Sequence, residues 1–256
     1  RGTAPTRQAA SGPAAGPPSP TGDARQRQRR YPLMQARHTQ KQPAPPGPLS
    51  AALKERNAAV WDQARAMRFV REVTEDTISD TVFARYLLFE REFVDTAARL
   101  AGAAVREAPS AEALAGHART LHALVTDQYD YFTRALETTG VPEVGPRAQE
   151  QASVLTEEVL DAADALGYPA IVTCMYAAES LYENWCGAAV RSPSARTEVA
   201  DWVHLHTVEP FTTQVRFLEA EIDALEILPE TASDLVAVFG KVLAAEIRFH
   251  DAAYVE

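Results

Sequence analysis

The pattern that decides the fold class is carried by residues 168–185, YPAIVTCMYAAESLYENW. In a helix of about 3.6 residues per turn, Ile171, Met175 and Tyr182 fall on one apolar face. Glu179 lies on the same face, between Met175 and Tyr182. Because an ionised carboxylate is rarely buried without a partner, this position predicts a functional or specifically paired acid.

Two further predicted helices repeat this arrangement. Glu90 lies on a stripe that includes Tyr86 and Phe93, and Glu246 lies on a stripe that ends at Phe249. Any one of these acids could be satisfied by a neighbouring Tyr or Arg, or could lie on a helix that is slightly rotated. Three such acids on three helices predict a shared polar pocket inside a helical bundle.

The rest of the pattern is also helical, and no segment shows the period-two alternation of a strand. We predict an all-α fold in which Pro210 kinks the sixth helix and residues 68–79 form a connector. Ser110 is expected to cap the third helix, with Leu114, Leu121, Val125, Tyr129 and Phe132 facing inward; the first helix is expected to turn Leu53, Ala58 and Trp61 inward. The seven predicted helices lie near residues 50–67, 80–106, 110–139, 148–166, 168–191, 195–225 and 230–256.

Residues 1–49 differ from the rest in composition and charge. They are rich in Pro, Ala, Gln and Arg and have a net charge of +7, which leaves −17 on residues 50–256 from the total of −10. We expect a disordered Pro/Arg-rich tail, followed by one helical domain over residues 50–256. The cluster Arg25–Arg30 is compatible with a transit peptide or with contact to an anionic surface, and both interpretations stay open. So acidic a domain argues against nucleic acid as a partner.

The apolar segments and the cysteines indicate the compartment. No run of about 18 apolar residues occurs and no secretory signal is recognisable, so we expect a cytoplasmic protein without a membrane span. Cys174 and Cys186 are 12 residues apart. That is roughly 18 Å along a straight helix, too far for a disulfide. Cys174 lies off the face that carries Glu179, so we interpret it as a core residue and not as a nucleophile.

A pocket with several buried carboxyl groups favours acid–base chemistry. Burial and mutual repulsion raise carboxyl pKa values unequally, so that one acid holds a proton while another is ionised. Such a pair can activate water and protonate a leaving amine, or bind an amidine-like ring through two hydrogen bonds. The aromatic residues predicted to stack on a flat substrate are Tyr86, Phe93, Tyr176, Tyr182 and Phe249.

A metal site is the main alternative. Glu246 and His250 have the i, i+4 spacing of ligands on one helical face, and His204, His206 and Glu209 add candidates. A di-iron site needs about six ligands, and no second Glu-x-x-His unit occurs. These two points count against a di-iron site. A metal-dependent oxygenase nevertheless stays open as an alternative, with Glu90, Glu179, Glu246 and His250 as its ligands.

Four strings, in this order and spacing, resemble the thiaminase-II-like (TenA) proteins of the haem-oxygenase-like fold. They are FVREVTEDTISDTVFARYLLFEREFV (69–94), GYPAIVTCMYAAESLYENW (167–185), WVHLHTVEPF (202–211) and AAEIRFHDAAY (244–254). The resemblance implies a single helical bundle with a central pocket. It also implies the branch of the family in which a glutamate, here Glu179, replaces the nucleophilic cysteine.

The resemblance assigns further roles to individual residues. Glu246 matches the acid that orients the reacting group, and Glu90 stands where an aspartate normally grips the aminopyrimidine. His206 and His250 stand where the family commonly has tyrosine and tryptophan, which makes the pocket more polar and more sensitive to pH. Glu179 and Glu246 are thus the expected catalytic residues, and the expected substrate-binding residues are Tyr86, Glu90, Phe93, Tyr176, Tyr182, Glu183, His206, Phe249 and His250.

The implied activity is cofactor-free hydrolysis of aminopyrimidine products of thiamin breakdown, by deamination or by removal of an N-formyl group. The departures at Glu90, His206 and His250 leave open another small nitrogenous substrate in a specialised pathway. A non-catalytic member that binds a small ligand is a further alternative. Because related proteins commonly assemble, we expect a homo-oligomer, either a dimer or a tetramer.

Overall fold

The computed structural model describes residues 47–256, so the predicted tail lies almost entirely outside the described residues. Within the described range the chain forms eleven α-helices and no strand, which confirms the all-α prediction. No helix of this range is long and apolar enough to cross a membrane. The helices are α1 (Leu49–Arg56), α2 (Ala58–Arg65), α3 (Arg68–Thr74), α4 (Asp80–Glu107), α5 (Ala111–Ala123), α6 (Tyr129–Thr139), α7 (Pro146–Leu166), α8 (Tyr168–Ala189), α9 (Thr197–Leu205), α10 (Phe211–Asp223) and α11 (Pro229–Ala252).

More helices are present than the seven predicted, because three predicted helices (50–67, 110–139 and 195–225) are divided and the connector 68–79 contains α3. The first predicted helix breaks at Asn57, whose side-chain amide donates to the carbonyl oxygens of Leu53 and Val236. Near residues 206–210 the chain leaves the helix altogether, whereas the sequence predicted a kink. Pro210 cannot donate a helical hydrogen bond, and it instead precedes the first residue of α10.

Of the five residues predicted to face inward on the segment α5–α6, Phe132 is buried and Leu121 packs against the core, whereas the other three are exposed. Leu114, Val125 and Tyr129 are exposed, with 45%, 53% and 43% of their surface accessible. Ala58 on α2 is exposed as well. A π-helical turn at residues 124–128 adds a residue to the turn between α5 and α6, which shifts the face of the helix that follows. The buried residues of α5 are Ala113, Gly116, His117 and Thr120.

The centre of the fold is α8, which packs against α4, α7, α10 and α11. Its first two turns are buried on all sides, which explains why its sequence is apolar beyond a single stripe. Cys174 is 1% exposed and burial raises its pKa to about 12, as befits the predicted core residue. Two of the helices that pack against α8 carry the other acids: Glu90 lies on α4 and Glu246 lies on α11.

Candidate active site

The three acids predicted from the sequence converge on one interior region. Burial raises the pKa of Glu90 to about 7, and burial together with the charge of Glu90 raises the pKa of Glu179 to about 8. Burial, followed by the charges of Glu90 and Glu179, raises the pKa of Glu246 well above its usual range. The packing of α4, α8 and α11 thus brings the three carboxyl groups close enough for their charges to interact.

Glu90 is held by tyrosine hydroxyls. The Tyr182 hydroxyl donates to Glu90 Oε1 at 2.5 Å, and the Tyr86 hydroxyl lies 2.9 Å from that of Tyr182. These hydrogen bonds favour the ionised carboxylate and oppose the effect of burial on the pKa of Glu90. Glu90 is therefore the acid of the three that ionises first as the pH rises.

Glu246 and His250 lie behind this tyrosine pair on α11. His250 Nδ1 donates to the backbone oxygen of Glu246 at 2.8 Å, which leaves Nε2 as an acceptor 3.2 Å from the Tyr182 hydroxyl. Burial lowers the pKa of His250 to about 4, so the ring is neutral and forms no ion pair with the acid. Glu246 is 1% exposed, and its Oε2 has no hydrogen-bond partner among the described residues.

A cavity of about 620 Å³ opens beside this cluster, between α5, α6, α8, α9 and α10. Glu179 lines it, whereas Glu90 and Glu246 do not. The ring of Tyr182 stacks on that of His206, a cavity residue, at 5.0 Å between ring centres. Tyr182 therefore connects the cavity wall to Glu90, and a molecule in the cavity contacts Glu179 directly.

The predicted aromatic residues divide into two groups. Phe93 packs edge-on against Phe249 at 6.0 Å, and Tyr86 stacks on His250 at 5.1 Å between ring centres, so these four surround the acid cluster. Tyr176 lies elsewhere, because its hydroxyl donates to a glutamate of α10 at 3.1 Å. Glu183 is close to the positive charges of Lys54 and Arg216, and Lys54 also lies over the ring of Tyr176. Neither Glu183 nor Tyr176 lines the cavity.

Among the cavity residues that were not singled out from the sequence are Tyr131, Trp202 and Gln214. Trp202 occurs in the string WVHLHTVEPF, but no feature of the sequence marks it as a cavity residue. Tyr131 was overlooked because the predicted face of α6 turned Tyr129 inward. A glutamine on the amphipathic helix α10 carries no sequence signal for a binding site.

The metal alternative has little support in the geometry. Across residues 47–256 no group of three or more His, Cys, Asp or Glu side chains is arranged to hold a metal ion. His204 is exposed on α9, and Glu209 pairs with Arg216 at 2.5 Å on the surface. His250 Nδ1 donates to a backbone oxygen, which leaves Nε2 as its free nitrogen, and this atom lies 3.2 Å from the Tyr182 hydroxyl.

No family model matches the sequence, and no curated protein matches it. Solved structures do. A TenA homologue from Pyrococcus furiosus is 21% identical and superposes with a TM-score of 0.71 over 80% of this chain and 100% of that one. A TenA family transcription regulator from Silicibacter sp. TM1040 is 15% identical, with a TM-score of 0.70 over 82% and 98%. A putative TenA-like thiaminase from Sulfolobus solfataricus P2 is 13% identical, with a TM-score of 0.66 over 80% and 94%. The chain therefore has the all-α, haem-oxygenase-like fold of the TenA homologues.

Proposed function

We propose that this protein is a TenA-type hydrolase that needs no cofactor and cleaves a C–N bond of a small aminopyrimidine-like amine. The observation that carries the proposal is the position of Glu179, which lines the cavity while burial and the charge of Glu90 raise its pKa to about 8. A carboxyl group with such a pKa can both donate and accept a proton near neutral pH. The shared fold of a putative TenA-like thiaminase adds support.

The proposed reaction uses Glu179 in both proton transfers. In the resting state Glu179 is protonated and donates its proton to the leaving nitrogen as the C–N bond breaks. The resulting carboxylate then takes a proton from the water whose oxygen bonds to the carbon. One water is consumed, ammonia leaves, and Glu179 regains its proton. For an N-formyl substrate the water oxygen bonds to the formyl carbon before the C–N bond breaks. Glu179 then gives its proton to the leaving nitrogen and regains a proton from that water, so that formic acid and the amine are released.

The cavity supplies walls that suit a flat ring. Trp202 packs against His206 at 4.2 Å between ring centres, and His206 packs edge-on against Phe211 at 4.7 Å. Burial lowers the pKa of His206 to about 4, so this wall is neutral. Neutral aromatic faces favour a planar heterocycle placed beside Glu179.

The direct test is ammonia release from an aminomethylpyrimidine by the wild type and by Glu179→Gln. Because the loss of a general acid–base group costs about 10²- to 10⁴-fold, we expect the variant to lose most of its kcat. Glu157→Gln, an exposed change on α7, is the matched control and should retain activity. Full turnover by Glu179→Gln contradicts the proposal.

Two further measurements separate the alternatives. Activity that survives a chelator, in protein with negligible iron and manganese, agrees with the hydrolase. Stoichiometric iron or manganese, with turnover that the chelator abolishes, favours the metal-dependent oxygenase instead. Ligand binding that survives Glu179→Gln, with no turnover by the wild type, identifies a binding protein.

A further inference from the structure

A second cluster of aromatic rings lies away from the cavity and encloses a lysine. Lys54 Nζ on α1 is 4.9 Å from the ring centre of Tyr176 on α8 and 5.3 Å from that of Trp61 on α2. The ring of Phe239 on α11 packs against both, at 6.1 Å from Tyr176 and 6.2 Å from Trp61 between ring centres. None of these four residues lines the cavity. The two rings that face the ammonium are therefore held in place by a third.

Two carboxylates accompany these rings. The Tyr176 hydroxyl donates to Glu219 Oε1 at 3.1 Å, so this acid of α10 is attached to one of the rings. Glu219 and Glu183 both act on Lys54 through their negative charges. A cation between the rings thus meets aromatic faces at short range and two acids around them. We refer to Trp61, Tyr176, Glu183 and Glu219 together as the aromatic box.

The chemistry of the aromatic box suits a cation that water holds weakly. Aromatic faces attract cations electrostatically, and quaternary ammonium groups are the ligands that such boxes typically recognise. A primary ammonium is strongly hydrated and loses that hydration when it is buried. Burial accordingly lowers the pKa of Lys54, and the charges of Glu219 and Glu183 offset only part of this effect. A quaternary ammonium keeps its charge and is surrounded by methyl groups, so it suits the rings better than Lys54 does.

We propose that the aromatic box is a binding site for a quaternary ammonium compound, and that Lys54 occupies this site as a ligand supplied by the chain itself. The contact fastens α1 to α2 and α8. An external cation enters only when the Lys54 side chain is displaced or removed. This inference does not depend on the proposed function, because the aromatic box and the cavity share no residue.

The test removes the resident ligand by Lys54→Ala and offers tetramethylammonium to the full chain. In this variant α1 should stay in place, because the Ser50 backbone and hydroxyl donate to Asp223 at 2.8 and 2.9 Å and Leu53 is fully buried. We expect Tm to fall by about 2–4 °C, the usual effect of losing one cation–π contact in a domain of this size. Tetramethylammonium chloride should restore at least half of this loss, and the effect should saturate.

Matched solutes and variants make this result specific. Sodium chloride at the same concentration and tert-butanol, a neutral molecule of similar shape, should restore nothing. Lys54→Met fills the aromatic box with an uncharged chain, so it should lose stability and show no response. Lys241→Ala removes an exposed lysine that pairs with Glu158 at 3.3 Å, and it should not respond either. Adding Trp61→Leu to Lys54→Ala should abolish the recovery.

Several outcomes overturn the inference. Lys54→Ala without recovery shows that the rings do not form a cation site. An equal shift in the wild type, whose aromatic box is filled, or in Lys241→Ala shows that the cation acts on the protein in general. Recovery by tert-butanol shows that the variant has only an apolar hole. If Lys54→Ala does not fold in plain buffer, its refolding yield in tetramethylammonium chloride and in sodium chloride decides the same question: equal yields overturn the inference.

Discussion

Glu90 and Glu179 are both glutamates, but their surroundings give their carboxyl groups different pKa values. Glu90 accepts a hydrogen bond from Tyr182 and its pKa is about 7, whereas Glu179 faces the cavity with a pKa of about 8. The single proton of the Tyr182 hydroxyl lies between two acceptors, Glu90 and His250 Nε2. When Glu90 is protonated, that proton is free to turn toward His250. The cluster can therefore exchange one hydrogen bond for another without moving its backbone.

At this scale we predict the pH dependence of kcat/KM. Since the proposed resting state has a protonated Glu179, activity should fall above about pH 8. Glu90→Gln removes the negative charge that raises the pKa of Glu179, so the alkaline fall should move to lower pH. A pH–rate profile checks this, with the exposed change Asp95→Asn on α4 as the control. An unchanged profile, or a move to higher pH, contradicts the assignment.

At the scale of elements, the cavity depends on how closely α5 approaches α10. A methyl group at Gly116 would overlap the ring of Phe217, and both residues line the cavity. The ring of Phe217 also packs edge-on against His117 at 4.9 Å, and His117 Nε2 lies 3.0 Å from the Tyr168 hydroxyl of α8. The absence of a side chain at Gly116 thus positions one wall of the cavity.

We predict that Gly116→Ala narrows the cavity and destabilises the fold by about 1–3 kcal/mol, because Phe217 must move. KM for an aminopyrimidine substrate should rise, and denaturant unfolding should report the loss of stability. Gly102→Ala on α4 is the matched control, since its added methyl group meets no atom within 4 Å. A helix gains up to about 1 kcal/mol from such a change. Gly116→Ala with normal stability and KM would show that Phe217 does not define the wall.

At the scale of the whole molecule, the three buried acids couple stability to pH. Their pKa values in the folded state lie above the usual value of 4.5. Between that value and the raised values, the folded protein binds more protons than the unfolded chain. The stability that these three acids contribute is therefore complete below about pH 4.5 and declines as the pH rises through about 7 to 8. The buried acids thus reduce the stability of the folded protein at neutral and alkaline pH.

Glu246→Gln should reduce that decline. Glu246 is 1% exposed and its Oε2 has no hydrogen-bond partner within the described residues, so the neutral amide avoids the ionisation that opposes folding. Each unit of raised pKa corresponds to about 1.4 kcal/mol. The difference in Tm between pH 5.5 and 8.5 should be smaller in the variant than in the wild type. The exposed change Glu226→Gln serves as control, and an equal difference in both proteins contradicts the prediction.

The sequence by itself determined the helical class, the long helices α4, α7, α8 and α11, and the three acids on core faces. These features depend on local periodicity and capping, as in the case of Ser110, whose side chain accepts a hydrogen bond from the Ala113 backbone. Tertiary structure decided which side chains reach the cavity. Tyr131 and Gln214 line it, whereas Tyr176 does not, because a π-helical turn and the packing of α10 set the rotation of each helix. Periodicity defines the apolar face of a helix, but only the neighbouring helices determine what that face contacts.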